Sequence, residues 1–289
     1  MINYILLLIS VSLETGKNAA FECFSKKRSS DDVDLGAFNT MTYISAVPVL
    51  LLFFIFGKSH SCSLFTLVTA VGFAVVNMLT QVCYIKAISY GSMTGTTLIS
   101  SCGFLISTAF SVVCYSEKVR AIQVILLPLL VLSLALTMDL KRGGMNLRWI
   151  VYAFGSMLFT GLIGVMQKIH QESAHKDEMS LFLLISFILM AAFSGMTLIP
   201  RKRASAEPKK AGSHGQITLL AIFSGAALGA VHSLNLYLSG VLPSIVFFPA
   251  ANGGLILMTA AVSVVVFHEK LKVKQIIGLV MGVIIICMM

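Results

Sequence analysis

Charge is scarce in this sequence. Of its 289 residues only 11% are Asp, Glu, Lys or Arg, while 57% are hydrophobic and the mean hydropathy is +0.92. So little polar surface cannot cover a globule in water, which excludes a soluble fold. Catalytic signatures are missing too: no Walker loop, G-x-G-x-x-G, H-E-x-x-H or nucleophile elbow occurs, and the loops are too short to hold a catalytic domain. An enzyme is therefore not expected, and nothing calls for a cofactor. The six cysteines, Cys23, Cys62, Cys83, Cys102, Cys114 and Cys287, show no C-x-x-C spacing, and most fall in apolar segments. They read as small hydrophobes, with neither a disulfide framework nor a metal site.

What the chain does have is a series of long apolar runs. Crossing about 30 Å of hydrocarbon at about 1.5 Å per residue takes roughly 20 apolar residues. Runs of that kind lie near 2–24, 38–56, 64–89, 93–115, 121–138, 149–168, 179–199, 216–239, 243–267 and 273–288. The first resembles a signal-peptide core, but no Lys or Arg precedes it and its apolar pattern resumes after Asn18, which favours a membrane span. The expected class is an all-α integral membrane protein of ten transmembrane helices. Net charge is +9, yet nearly all Lys and Arg sit between the runs. Orientation in a membrane explains them better than nucleic acid does. Assigned alternately to two faces, 14 basic residues fall on the side that holds Lys26, Arg142, the 201–210 stretch and Lys270, and five on the side of Lys118 and Lys176. The positive-inside rule makes the richer side cytoplasmic and puts both termini outside.

The runs repeat. Glu117-Lys118-Val119-Arg120-Ala121-Ile122-Gln123 returns as Glu269-Lys270-Leu271-Lys272-Val273-Lys274-Gln275, an offset of 152 that also places Tyr90-Gly91-Ser92 on Leu242-Pro243-Ser244. Residues 1–138 and 149–289 then form two five-helix repeats joined by 139–148, where Gly143-Gly144 follows Lys141 and Arg142. Five is odd, so the second repeat enters from the opposite face and the two are inverted, with any substrate site near the midplane between them.

With these paired Glu-Lys segments, and with Ala87-Ile88-Ser89-Tyr90-Gly91 leading into the fourth run, the chain resembles the drug/metabolite transporter superfamily in its ten-span EamA-type branch. The resemblance implies an integral-membrane carrier of small metabolites. Family members carry a proline in the fourth and ninth spans where this chain has Gly103 and Gly253-Gly254, so a bend there is expected to be glycine-based. The resemblance also implies cytoplasmic termini, against the charge distribution.

Polar residues inside the runs are the candidate pathway. Glu14 is the one acidic residue deep within a run; a carboxylate there costs about 2.5–3.5 kcal/mol on insertion scales, which makes proton coupling its default role and an i+3 pair with Lys17 the structural alternative. Lys168, near-equivalent to Lys17 in the repeat, and Lys86 read as snorkelling toward water. Asn77, Gln81 and Tyr84 recur at i, i+4 and i+7 of the third run, and His232, Asn235 and Ser239 share a face of the eighth. Such stripes turn inward, so the two sets are expected to meet across a cavity, a helix–helix seam being the alternative. Asn252 sits beside Pro249 and Gly253-Gly254, where a helix break would free carbonyls. Gly225-x-x-x-Gly229 and Gly278-x-x-x-Gly282 read as packing motifs.

The function expected from all this is secondary transport of a small metabolite or drug-like solute by alternating access, with proton coupling through Glu14. The alternative is a non-transporting membrane scaffold or complex subunit. Partners are then a small-molecule solute and membrane lipid, with a homodimer as the candidate assembly and no nucleic acid; the location is a cell membrane, that of a bacterium.

Overall fold

The computed structural model describes residues 2–27, 32–57, 61–90, 93–137, 147–204, 214–267 and 272–289. Among them are eleven α-helices and no strand: α1 (Ile2–Lys27), α2 (Asp32–Ile55), α3 (Leu64–Tyr90), α4 (Met93–Ser101), α5 (Phe104–Tyr115), α6 (Ala121–Thr137), α7 (Leu147–Gln171), α8 (Met179–Ala204), α9 (His214–Val241), α10 (Ser244–Phe267) and α11 (Val273–Met288). Every apolar run of the sequence lies on a helix, as it must where hydrocarbon leaves backbone groups only each other to bond. Among the described residues seven stretches are long and apolar enough to cross a membrane, on α2, α3, α4–α5 together, α7, α8, α9 and α10. The apolar α6 and α11 are shorter, and α1, with Glu14 and Lys17, falls outside the seven.

The fourth run is not one straight helix. It breaks between α4 and α5, where Gly103 N–H donates to the Ser100 carbonyl at 3.0 Å and Ile106 N–H to the Gly103 carbonyl at 3.0 Å, tight i to i−3 bonds in place of the α pattern. Gly103 sits at this break, where α7 leaves no room for a side chain, whereas α10 continues through Gly253-Gly254. A Cβ on Gly103 would stand 2.7 Å from the Met157 carbonyl oxygen and 2.8 Å from Gly161 N. At Pro249 the expectation of a break fails: α10 runs through it without interruption.

Helices α3 and α7 pack antiparallel, Thr66 near His170 and Tyr90 stacked on Tyr152. Helices α1 and α9 pack the same way, Ser10 bonded to Asn235 and Gly16 against Phe223. Apolar side chains collect in two cores. One takes Leu50 of α2, Phe73 of α3, Phe187 of α8 and Leu236 of α9; the other takes Phe104 of α5, Leu130 of α6, Phe247 of α10 and Ile285 of α11. Both glycine motifs lie in helix seams, as packing requires. Gly225 faces the Thr42 carbonyl of α2 and Gly229 that of Ala46, while a Cβ on Gly278 would meet Thr137 N of α6 at 2.6 Å.

Chain ends and turns sort to two faces. Gln123 at the start of α6 donates to the Met289 carbonyl at 2.9 Å, and Glu117 and Glu178 bind Ser244 and Ser63 on this C-terminal face. On the opposite face Gln275 donates to the Thr137 carbonyl at 3.1 Å, and Arg148 lies over the Tyr90 ring. The 205–213 stretch, most of the 139–148 joint and Glu269-Lys270 lie outside the described residues.

Candidate functional site

A cavity of about 90 Å³ lies where α5, α7, α9 and α10 meet. At about 30 Å³ per water it has room for a few solvent molecules or one small chemical group. Its polar wall is Ser107 of α5, Thr160 and Gln167 of α7, His232 and Asn235 of α9, and Asn252 of α10; Phe104, Phe247 and Phe248 supply flat apolar surface. Small residues bring these helices together. Gly164 of α7 sits so close to the Ser107 hydroxyl and the Phe248 ring that no Cβ fits, and Ser107 Oγ donates to the Gly161 carbonyl at 2.8 Å.

Three candidates from the sequence thus share one cavity: His232, Asn235 and Asn252. His232 stands edge-on to Phe73 and Phe187, ring centroids 5.8 and 5.2 Å away, and its Nδ1 is buried with no bonded partner among the described residues. Asn235 accepts a 2.6 Å bond from the Ser10 hydroxyl, and Asn252 Nδ2 donates to the Phe248 carbonyl at 3.0 Å, one turn back on its own helix. Glu14 and Lys17 are not in the cavity wall. They form an ion pair at 2.7 Å on α1, which packs against α9, with side chains 24% and 20% exposed respectively.

The third-run stripe goes elsewhere. Asn77, Gln81 and Tyr84 are not among the cavity's lining residues. Asn77 Nδ2 donates to the Phe73 carbonyl at 2.8 Å, and the Tyr84 hydroxyl bonds that of Thr97 at 2.8 Å, joining α3 to α4. Ser239, too, bonds its own helix, donating to the Leu236 carbonyl.

Lys168 corrects an expectation. It does not snorkel: it is 3% exposed, and its Nζ meets Glu117 and Glu172 carboxylates at 2.8 Å each. A buried ammonium needs such pairing, and Glu117 arrives from a loop that sequence distance concealed. Lys86, by contrast, is exposed, its Nζ 5.2 Å above the Tyr152 ring. Gln167 was missed altogether. Its signal was available, a second polar residue beside Lys168 in an apolar run.

A polytopic all-helical membrane protein with a small cavity between its helices, lined by polar and apolar side chains alike, is the class these features define. Residues 4–138 match the model of the EamA-like transporter family, consistent with the resemblance to the drug/metabolite transporter superfamily. No curated protein matches the sequence. A solved structure titled "Crystal structure of protein" superposes over 99% of this chain and 95% of its own with a TM-score of 0.75 at 12% identity, a likeness of fold alone.

Proposed function

We propose that this protein is a secondary transporter that carries a small metabolite or drug-like solute by alternating access. Its ten crossings form two inverted repeats, 1–138 and 149–289, joined by 139–148. The cavity carries this reading: polar groups are expensive in the middle of a membrane unless they serve a solute or one another, and here one helix of the first repeat and three of the second surround them.

Inversion is supported by matched bonds. Gln123 reaches the Met289 carbonyl and Gln275 the Thr137 carbonyl, and both partners are related by the offset of 152. The same offset carries the Arg120 N–H to Gln123 Oε1 bond onto that from Lys272 N–H to Gln275 Oε1, and the pairing of α3 with α7 onto that of α9 with α1. These pairs lie at opposite faces, as a twofold axis in the membrane plane requires. The Glu14–Lys17 pair on α1, the helix packed against α9, offers a titratable group for proton coupling, and with no nucleotide-binding motif the transporter draws on such a gradient or on the solute's own. A bacterial plasma membrane is the proposed location.

A thermal-shift screen of the purified protein against small metabolites tests the reading. A solute at 100 times its Kd stabilises the fold by about 2.7 kcal/mol. The stabilisation should vanish in Gln167→Ala and Asn252→Ala while the unliganded melting temperature holds. Hits that stabilise these variants as well as the parent contradict the site.

A further inference from the structure

Lys168 is the centre of a cluster that joins four chain segments. Its Nζ contacts Glu117 Oε1 at 2.8 Å, Glu172 Oε1 at 2.8 Å and the Ser239 carbonyl at 3.2 Å. Glu117 is held from its other side: Oε2 accepts the Ser244 N–H at 2.7 Å and Oε1 the Ser244 hydroxyl at 2.8 Å. Ser244 opens α10, where unpaired N–H groups favour a carboxylate. The α5–α6 loop and the ends of α7, α9 and α10 are thereby tied at the C-terminal face.

Those helices are the ones that wall the cavity, and the cluster lies immediately beyond it on α7, α9 and α10. Lys168 follows Gln167; Ser239 is one turn past Asn235; Ser244 precedes Phe247 and Phe248 by one turn; Glu117 follows the end of α5. At about 1.5 Å per residue Lys168, Ser239 and Ser244 stand roughly 6 Å or less along α7, α9 and α10 from the cavity wall, while Glu117 reaches them from the loop ten residues past Ser107. Ser239 and Ser244 are fully buried and Lys168 nearly so, whereas Glu172 is 38% exposed and opens to the surface. A solute leaving the cavity toward this face must part α7 from α9 and α10, and so must break the contacts of Lys168.

We propose that the Glu117–Lys168–Glu172–Ser244 cluster is the gate that seals the solute pathway at the C-terminal face, an inference that rests on the transport reading above. Ions suit a seal that opens. Paired, they satisfy each other in a contact that buries Lys168; parted, each regains water, so that the open state is not left with bare apolar surface. The α6–α11 seam, with glycine against backbone, has no such second arrangement.

Labelling tests the gate without a known solute. In a background lacking the six native cysteines, Thr160→Cys places a thiol in the cavity and Ser133→Cys one in the α6–α11 seam. A membrane-impermeant thiol reagent is applied to proteoliposomes from the C-terminal face. With the cluster intact, Thr160→Cys should react slowly. Adding Glu117→Gln should speed it roughly tenfold, the order by which exchanging a charge-assisted bond for a neutral one shifts an equilibrium, while Ser133→Cys stays protected. An unchanged rate at Thr160→Cys overturns the gate. So does an equal gain at both thiols, which shows that the cluster holds the fold as a whole. If the cavity opens as expected but no solute moves in any assay, the gate stands and the transport reading fails.

Discussion

The seam between α6 and α11 and the junction of α7 with α9 and α10 are both helix contacts inside one membrane protein, built from opposite materials. In the seam, glycine brings backbones together, neutral glutamines reach carbonyls at both ends, and Ser133 donates to the Gly278 carbonyl at 3.1 Å. At the junction a cavity with six polar residues in its wall lies under a cluster of one cation and two carboxylates. Glycine-to-backbone contacts admit one arrangement, because close packing fixes depth and rotation together. Ion pairs bordering water admit two. On the proposed reading the seam is a fixed strut and the junction a separable joint.

Changing the joint should have the larger effect. Lys168→Met leaves two carboxylates facing each other beside buried serines, and should cost about 3 kcal/mol, the low end for breaking a buried pair since Glu172 is partly exposed. Chemical denaturation in detergent measures this. A cost near zero would place the pair in water and remove the contrast with the seam.

Overfilling the seam comes next. Gly278→Val drives a side chain into Thr137 N and the Ser133 carbonyl and should destabilise by about 1–3 kcal/mol, the usual range for overpacking. Cavity binding should survive in the molecules that fold, because α6 and α11 contribute no lining residue. Loss of binding at unchanged stability would show that the seam moves with the joint.

The smallest effect is the most diagnostic of symmetry. Gln123→Ala and Gln275→Ala each remove two hydrogen bonds to backbone groups, at about 1 kcal/mol per bond. On the proposed twofold relation, the two variants should lose similar amounts. A large disparity, read in the same unfolding experiment, would break the correspondence.

Much of this contrast was legible in the sequence, because periodic and repeated features carry it. Apolar runs placed the helices, Gly103 marked the break in the fourth run, and the shared Glu-Lys motif placed Gln123 and Gln275 in register. The joint was harder to read. Glu172 is one turn from Lys168, but the partner that buries the ammonium, Glu117, lies 51 residues earlier in the chain, and no local pattern joins them. Asn77 and Tyr84 show the opposite limit. Helical periodicity puts them on one face, yet that face bonds α3 and α4 to themselves rather than a cavity, since periodicity fixes direction around a helix and not what stands opposite. His232 and Asn235 were found because their helix meets three others at the cavity.

Solute movement is the most direct measure of the central claim that the cavity is a transport pathway. A compound that stabilises the purified protein, and does so through Gln167 and Asn252, should exchange across proteoliposome membranes in counterflow, saturably, and Gln167→Ala should abolish the exchange. A proton gradient should drive it in the parent and not in Glu14→Gln. A compound that binds through those residues yet does not cross the membrane, in counterflow or under any ion gradient, would contradict the transport reading and leave a binding protein in the membrane.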